Sequence, residues 1–275
     1  MKRSLSTVVG MSGIERAERQ QYGTIVVVGG GCYGSYYVRQ LQRAAHAGAI
    51  AAHELVVVDR DANCAVATAT ANPRASNEPA SIPVRVEVAE WGTFFADYLR
   101  RSADAPDAYA LDAIVPSPLM PHLMAEWVVD RARRRWPVRL VETQPIGAPL
   151  PVPWQRSGAD TTHYVSFADW ICPVNCVEPR TCPATRGPRD WSLPPTVRAH
   201  AASTGANAAI MHCRHRAFGV GMFDTAEVIE ADAIVRTAGD TGAADVIVGT
   251  TSHCHGALTR LVIGPLGAGD NSPVG

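Results

Sequence analysis

Thr24-Ile25-Val26-Val27-Val28 is an unbroken β-branched run, and glycines follow it at positions 29, 30, 31 and 34. A run without polar alternation suits a strand covered on both faces, as in a parallel sheet. Tyr36 to Ala47 then reads as a helix. The same grammar repeats downstream. His53–Asp59, Val84–Val88, Leu111–Val115 and Val138–Glu142 read as further strands. Helices are expected over 60–71, Thr93–Arg101 and from Pro121 to about Arg135, where proline suits the first turn. Strands alternating with helices over short connections predict an α/β protein with a doubly wound parallel sheet.

The glycines carry more than a turn. Gly29, Gly31 and Gly34 fit G-x-G-x-x-G between a buried strand and a helix, and Asp59 closes the next strand. The first glycine permits the tight turn, the second lets backbone approach a pyrophosphate, and the third lets helix and strand pack closely. The helix start offers free N–H groups and a partial positive charge. On these residues the segment 24–142 resembles the NAD(P)-binding Rossmann superfamily. The resemblance implies nucleotide binding through Gly29, Gly31, Gly34 and Asp59. A carboxylate at 59 on the ribose hydroxyls favours NAD, and Arg60 beside it leaves NADP open.

Composition shifts after this unit. Of the 20 prolines, half lie between Pro145 and Pro195, among three cysteines and little periodicity. So long a structureless stretch calls for something other than a hydrophobic core to order it. Cys172, Cys176 and Cys182 have the spacing C-x3-C-x5-C, with proline directly after two of them. Proline pre-sets the backbone, so thiols can be directed inward with little entropy left to lose. The trio therefore reads as ligands of an iron–sulfur cluster or of zinc, with redox-active thiols as the rival. Its spacing matches neither the ferredoxin C-x2-C-x2-C pattern nor the C-x2-C pairs usual for zinc.

Further ligands are sought in Met211-His212-Cys213-Arg214-His215 and Ser252-His253-Cys254-His255-Gly256. Both follow expected strands, Ala209–Cys213 and Asp245–Thr250, which flank a helix from Thr225 to Thr237. Parallel strands bring such C-terminal ends to one sheet edge, where α/β proteins hold ligands. Cys213 and Cys254 join the metal candidates. His253 and His255 are acid–base candidates, with His122 after the fourth strand as a third.

The expected organisation is an N-terminal arm at 1–22 and a Rossmann-like dinucleotide-binding domain at 23–145. A Pro/Cys-rich metal-binding segment at 146–198, a smaller α/β portion at 199–264 and a loose tail at 265–275 follow. The formal net charge of −1 argues against nucleic-acid binding. No apolar run reaches membrane-spanning length, and no secretory h-region is read at the start, so a cytoplasmic location is expected. The functional expectation is an NAD(P)-dependent oxidoreductase acting on a small-molecule substrate. The alternative is a non-catalytic NAD(H), redox or metal sensor, and a redox partner or a second copy of the chain fits either.

Overall fold

A computed structural model describes residues 20–71, 82–172 and 176–266. Most of the expected arm and tail lies outside them. The chain forms two six-stranded sheets, with helices on their faces. The first sheet is built from β1 (Gln20–Val28), β2 (Ile50–Asp59), β3 (Val84–Val88), β4 (Ala113–Val115), β9 (Arg214–Ala217) and β10 (Val220–Asp224). The second holds β5 (Val141–Gln144), β6 (Trp154–Ser157), β7 (His163–Ser166), β8 (Asn207–His212), β11 (Ala244–Thr251) and β12 (His255–Ile263). Helices are α1 (Cys32–His46), α2 (Ala65–Ala71), α3 (Trp91–Asp104), α4 (Leu123–Arg135), α5 (Leu193–Ser203) and α6 (Thr225–Asp240).

The order β3-β2-β1-β4 is parallel throughout. Ile25 and Val27 face one core and Val26 and Val28 the other, as alternation along a strand dictates. The first core includes Leu41 and Ala44 of α1. The second is shared by α3, α4 and α6 with the inner face of the second sheet, through Phe95, Val128, Val235, Ala209, Met211 and Val248. The outer face of the second sheet buries Ile210, Ile247 and Leu258 against Leu193 and Val197 of α5. The layers thus run α1, sheet, three helices, sheet, α5. Fully buried Phe223 and Met211 lie in the shared layer. Truncating either to alanine costs about 2–5 kcal/mol.

The α/β class holds, but the sheet is not doubly wound and parallel. After β4 the first sheet continues antiparallel through β10 and then β9. The second is mostly antiparallel, with β8–β11 its parallel pair. The expected fifth parallel strand over Val138–Glu142 instead begins at Val141 and pairs with β12 of the second sheet. The reason is a buried arginine. Arg139 donates to the carbonyls of Gly239, Gly242 and Gly264, which tethers this segment beside β12. Val138 and Leu140, which looked like core residues, are 82% and 57% exposed.

The Pro/Cys-rich segment also holds more regular structure than expected. Its first third makes the β6–β7 hairpin, and Leu193–Ser203 makes α5 with prolines in its first turn. No helix among the described residues is long and apolar enough to cross a membrane.

Candidate functional site

Two constructions occupy the C-terminal ends of the parallel strands. The first is the glycine loop between β1 and α1. Gly29 has φ of 87°, a left-handed conformation that favours glycine, and its N–H donates to Val58 O at 2.9 Å. A Cβ at Gly34 would run into the carbonyl oxygen of Gly29, so helix and loop pack at a distance only glycine permits. A Cβ at Gly31 would meet nothing within 4 Å. Gly31 is the N-cap of α1, with no side-chain cap bond and no acid in the first turn. The first amides of the helix are therefore available to an anion. Asp59 stands where the pattern puts it, but its carboxylate is partly engaged. Oδ2 accepts Gly30 N–H at 2.7 Å and Oδ1 accepts Asp61 N–H at 2.9 Å. Each oxygen keeps further acceptor capacity. Trp91 lies along Gly29 and donates its indole N–H to Val58 O.

The second construction centres on Glu178, a residue the sequence reading passed over. Glu178 is buried and left-handed, with φ of 50°. Such backbone costs about 1–3 kcal/mol and persists where the surroundings over-determine it. Those surroundings are plain. Ser252 Oγ donates to Oε1 at 2.6 Å, His253 N–H to Oε2 at 3.0 Å and Cys254 N–H to Oε1 at 3.0 Å. One carboxylate thus closes the turn between β11 and β12. Glu178 N–H in turn points at Cys176 Sγ, 3.4 Å away. Arg189 Nε donates to the carbonyls of Glu178 and Pro179.

Imidazoles surround this carboxylate. His215 Nδ1 stands 3.6 Å from Glu178 Oε2, within ion-pair reach but long for a hydrogen bond. Its ring and the Cys213 thiol occupy space that a side chain at 221 would fill, so Gly221 makes room for both. His253 Nδ1 pairs with Ser192 Oγ and His255 Nδ1 with Ser166 Oγ, each at 2.9 Å. His212 meets His253 edge to face, with ring centroids 4.8 Å apart. His212 Nε2 and His215 Nδ1 are buried without a hydrogen-bond partner.

The electrostatics follow from this packing. Burial opposes the charge of Glu178, but His215, Ser252 and His253 N–H outweigh it, holding its carboxyl well below the usual range. Burial first, then Arg214 and His253, pushes His212 down to about 4. His253 and His255 are lowered too, chiefly by burial. The Cys213 and Cys254 thiols are pushed up to about 12, again by burial.

The predicted site residues divide. His253, Cys254 and His255 reach the Glu178 cluster, and Cys176 touches it. Cys254 Sγ accepts the Trp191 indole N–H at 3.3 Å. Cys182 lies in a small turn of its own, closed by Cys182 N–H to Gly187 O. His122 is elsewhere, beside Glu126 at 3.3 Å and Asp160 at 3.9 Å. Cys172, Cys176, Cys182, Cys213 and Cys254 do not form the expected ligand set. Among the described residues no three Cys, His, Asp or Glu side chains form a group that could hold a metal ion. Three of these thiols have other neighbours: Cys254 the Trp191 indole, Cys176 the Glu178 amide and Cys213 the packing under Gly221.

The two constructions approach each other where Val28, Pro116 and Ser117 face Thr250, around a cavity of about 10 Å³. A much larger cleft, about 820 Å³, lies at the opposite end of β1, between Gln20, Arg198, Arg216 and Glu227. It is remote from the glycine loop. It touches the Cys/His region from behind, because Glu227 Oε2 accepts His212 N–H at 2.8 Å.

Comparison with known proteins gives one family. A family model described as "Uncharacterized protein, C-terminal domain" matches residues 124–264, from α4 to the end of β12. No curated protein and no solved structure matches the chain.

Proposed function

The chain belongs to the AF_1314_C family, whose matched segment includes the whole Glu178 cluster, and from that premise we propose that it is an NAD(P)-dependent oxidoreductase in two parts. The parallel β3-β2-β1-β4 unit, which lies before the matched segment, is a Rossmann-like nucleotide site. The matched segment presents the Cys/His edge to a small-molecule substrate. A nicotinamide nucleotide supplies or accepts hydride when bound. All else falls to side chains and backbone of this chain.

One observation carries the reading. Left-handed Gly29, close-packed Gly34, open Gly31 and an uncapped α1 stand together at the end of a central parallel strand. This is a backbone cradle that fits a pyrophosphate, with Asp59 at the tip of the adjacent strand for the ribose. On the other side, Ser192 and Ser166 each hold one ring nitrogen of His253 and His255. The second ring nitrogen of each is left to bind or to exchange a proton with a substrate. Neither zinc nor an iron–sulfur cluster is given a step, because the described thiols do not gather to hold one.

Calorimetric titration with NAD⁺, NADH, NADP⁺ and NADPH tests the nucleotide site. Binding of at least one is expected, with Gly31→Leu weakening it more than tenfold. Wild-type protein that binds none of the four sinks the reading.

The packing between Val28 and Thr250 favours a second reading, a nucleotide sensor without turnover. A space of 10 Å³ scarcely admits one water. Nucleotide occupancy would then pass to the Cys/His cluster through packed atoms. NADH oxidation by a dye acceptor separates the two. Turnover that His253→Gln abolishes marks the enzyme, and binding without turnover marks the sensor.

A further inference from the structure

The strand face that builds the shared core changes character within two residues. Ile114, Val26 and Val56 lie side by side on β4, β1 and β2 and are buried in that core. Two residues earlier in each segment, the same face carries Asp112, Thr24 and Glu54. A covered face of a parallel sheet is ordinarily apolar. This rung is polar, and between it and α3 lies a cavity of about 600 Å³. The volume is that of a small-molecule site. Asp112 precedes β4, so the cavity lies toward the strand ends opposite the glycine loop.

Asp112 lines this cavity and is 5% exposed. Its Oδ1 accepts Thr24 N–H at 2.7 Å and its Oδ2 accepts the Tyr98 hydroxyl at 2.8 Å. No arginine, lysine or histidine among the described residues pairs with it. Burial raises its pKa above the ordinary carboxylate range, against the lowering effect of those two bonds. The guanidiniums on the same wall are already engaged. Arg85 is held by Glu54 at 3.3 Å and Glu87 at 2.6 Å, and Arg101 by Asp97 at 3.0 Å. Carboxylates therefore outnumber cations around the cavity. A buried carboxylate is costly unless it is paired, and each oxygen of Asp112 keeps room for a further donor. Much of the remaining wall is aromatic. Phe94 and Tyr98 stack with ring centroids 5.5 Å apart, and Tyr109 meets Tyr98 edge to face at 5.5 Å.

We propose that this cavity binds an organic ammonium ion, a primary or secondary amine in its protonated form. Its N–H groups meet the Asp112 carboxylate, and its carbon skeleton lies against Phe94, Tyr98 and Tyr109. The ammonium supplies the counter-charge that Asp112 lacks, and the rings add cation–π attraction. An anion would face the surplus of carboxylates. A neutral ligand would leave Asp112 uncompensated. A bare divalent metal ion needs several oxygen ligands gathered around it and would leave the aromatic wall unused. The inference is independent of nucleotide binding, because Asp112 and the three rings belong to neither the glycine loop nor the Glu178 cluster.

The experiment titrates the full chain with benzylamine and with putrescine by calorimetry at neutral pH, with benzyl alcohol and magnesium chloride as controls. At least one amine should bind, roughly tenfold or more tighter than either control. Asp112→Asn keeps the shape and removes the charge, and should weaken amine binding roughly tenfold or more. Phe94→Leu keeps apolar volume at a half-buried position and leaves Asp112 untouched. It should weaken binding roughly threefold, and it decides the matter if Asp112→Asn fails to fold. The proposal is overturned if neither amine binds or if benzyl alcohol binds as well as the amines, which would mean aromatic contact alone. It is overturned equally if magnesium binds as tightly, which would mean carboxylates alone, or if either folded variant keeps wild-type affinity.

Discussion

The glycine loop and the Glu178 cluster lie at the same end of the parallel strands, yet they are assembled from opposite materials. At the loop the contacts are made by backbone: Gly29 N–H to Val58 O, Gly34 against the Gly29 carbonyl, bare amides at the start of α1. At Glu178 they are made by side chains from segments far apart in the chain. A carboxylate in a proline-rich loop closes a turn more than seventy residues away. A site built from backbone tolerates few residue types, so it leaves a mark in local sequence. A site built from side chains can be made in many ways and leaves almost none.

This contrast can be broken by substitution. Gly34→Val should have the largest effect. Its side chain would collide with backbone that cannot yield, and the loss should be about 3 kcal/mol or more. Urea unfolding measures it, and an unchanged midpoint would remove the close packing from the account.

Glu178→Ala comes next. It leaves Ser252 Oγ and two amides without their acceptor, a cost of about 2–3 kcal/mol. Glu178→Gln keeps the shape and part of the bonding and should cost less than half as much. Equal losses would mean that the side chain fills space rather than accepts hydrogen bonds.

Acid should act on the cluster and spare the loop. An unfolded imidazole takes its proton near 6.5, whereas folded His212 waits until about 4. Between these values the unfolded chain binds more protons, so stability falls as pH drops from 6.5 towards 4. His253 and His255, lowered as well, act in the same direction. Glu178 adds its own loss only below the ordinary carboxylate range, where the unfolded carboxyl takes a proton that the folded one refuses. Hydrogen exchange at pH 7 and pH 5 should show earlier opening of the β11–β12 turn than of β1 and α1. Uniform opening would show that the imidazoles do not control it.

The smallest effect belongs to Gly31→Ala. Nothing lies within 4 Å of the new methyl, and φ of −78° is not left-handed. Stability should stay within about 0.5 kcal/mol, while nucleotide affinity falls. A loss as large as that of Gly34→Val would mean that position 31 serves the fold and not a ligand.

Much of the first half was legible. β1, β2, β3 and β4, the glycine turn and Asp59 fall where the apolar runs and glycines indicate, because each depends on neighbours along the chain. Val138–Leu140 misled, since an apolar pair flanking Arg139 reads as strand while the arginine sets the position. The β9–β10 hairpin was missed as well. Its strands are short, and its turn is made by Phe218 and Gly219, both at positive φ. Glu178, between Cys176 and Pro179, was passed over, because nothing in its neighbours along the chain marks a carboxylate whose partners lie in the distant β11–β12 turn.

The sequence by itself determined the α/β class, the glycine loop and the concentration of Cys and His at two strand ends. These rest on periodicity, on conformations that glycine favours and on residue chemistry, all of which are local. Only the tertiary structure decided that β5 crosses to the second sheet, that Glu178 closes the β11–β12 turn, and which thiols are buried. Those outcomes depend on which distant donor meets which acceptor, and a buried polar group takes its partner from whatever the fold brings near.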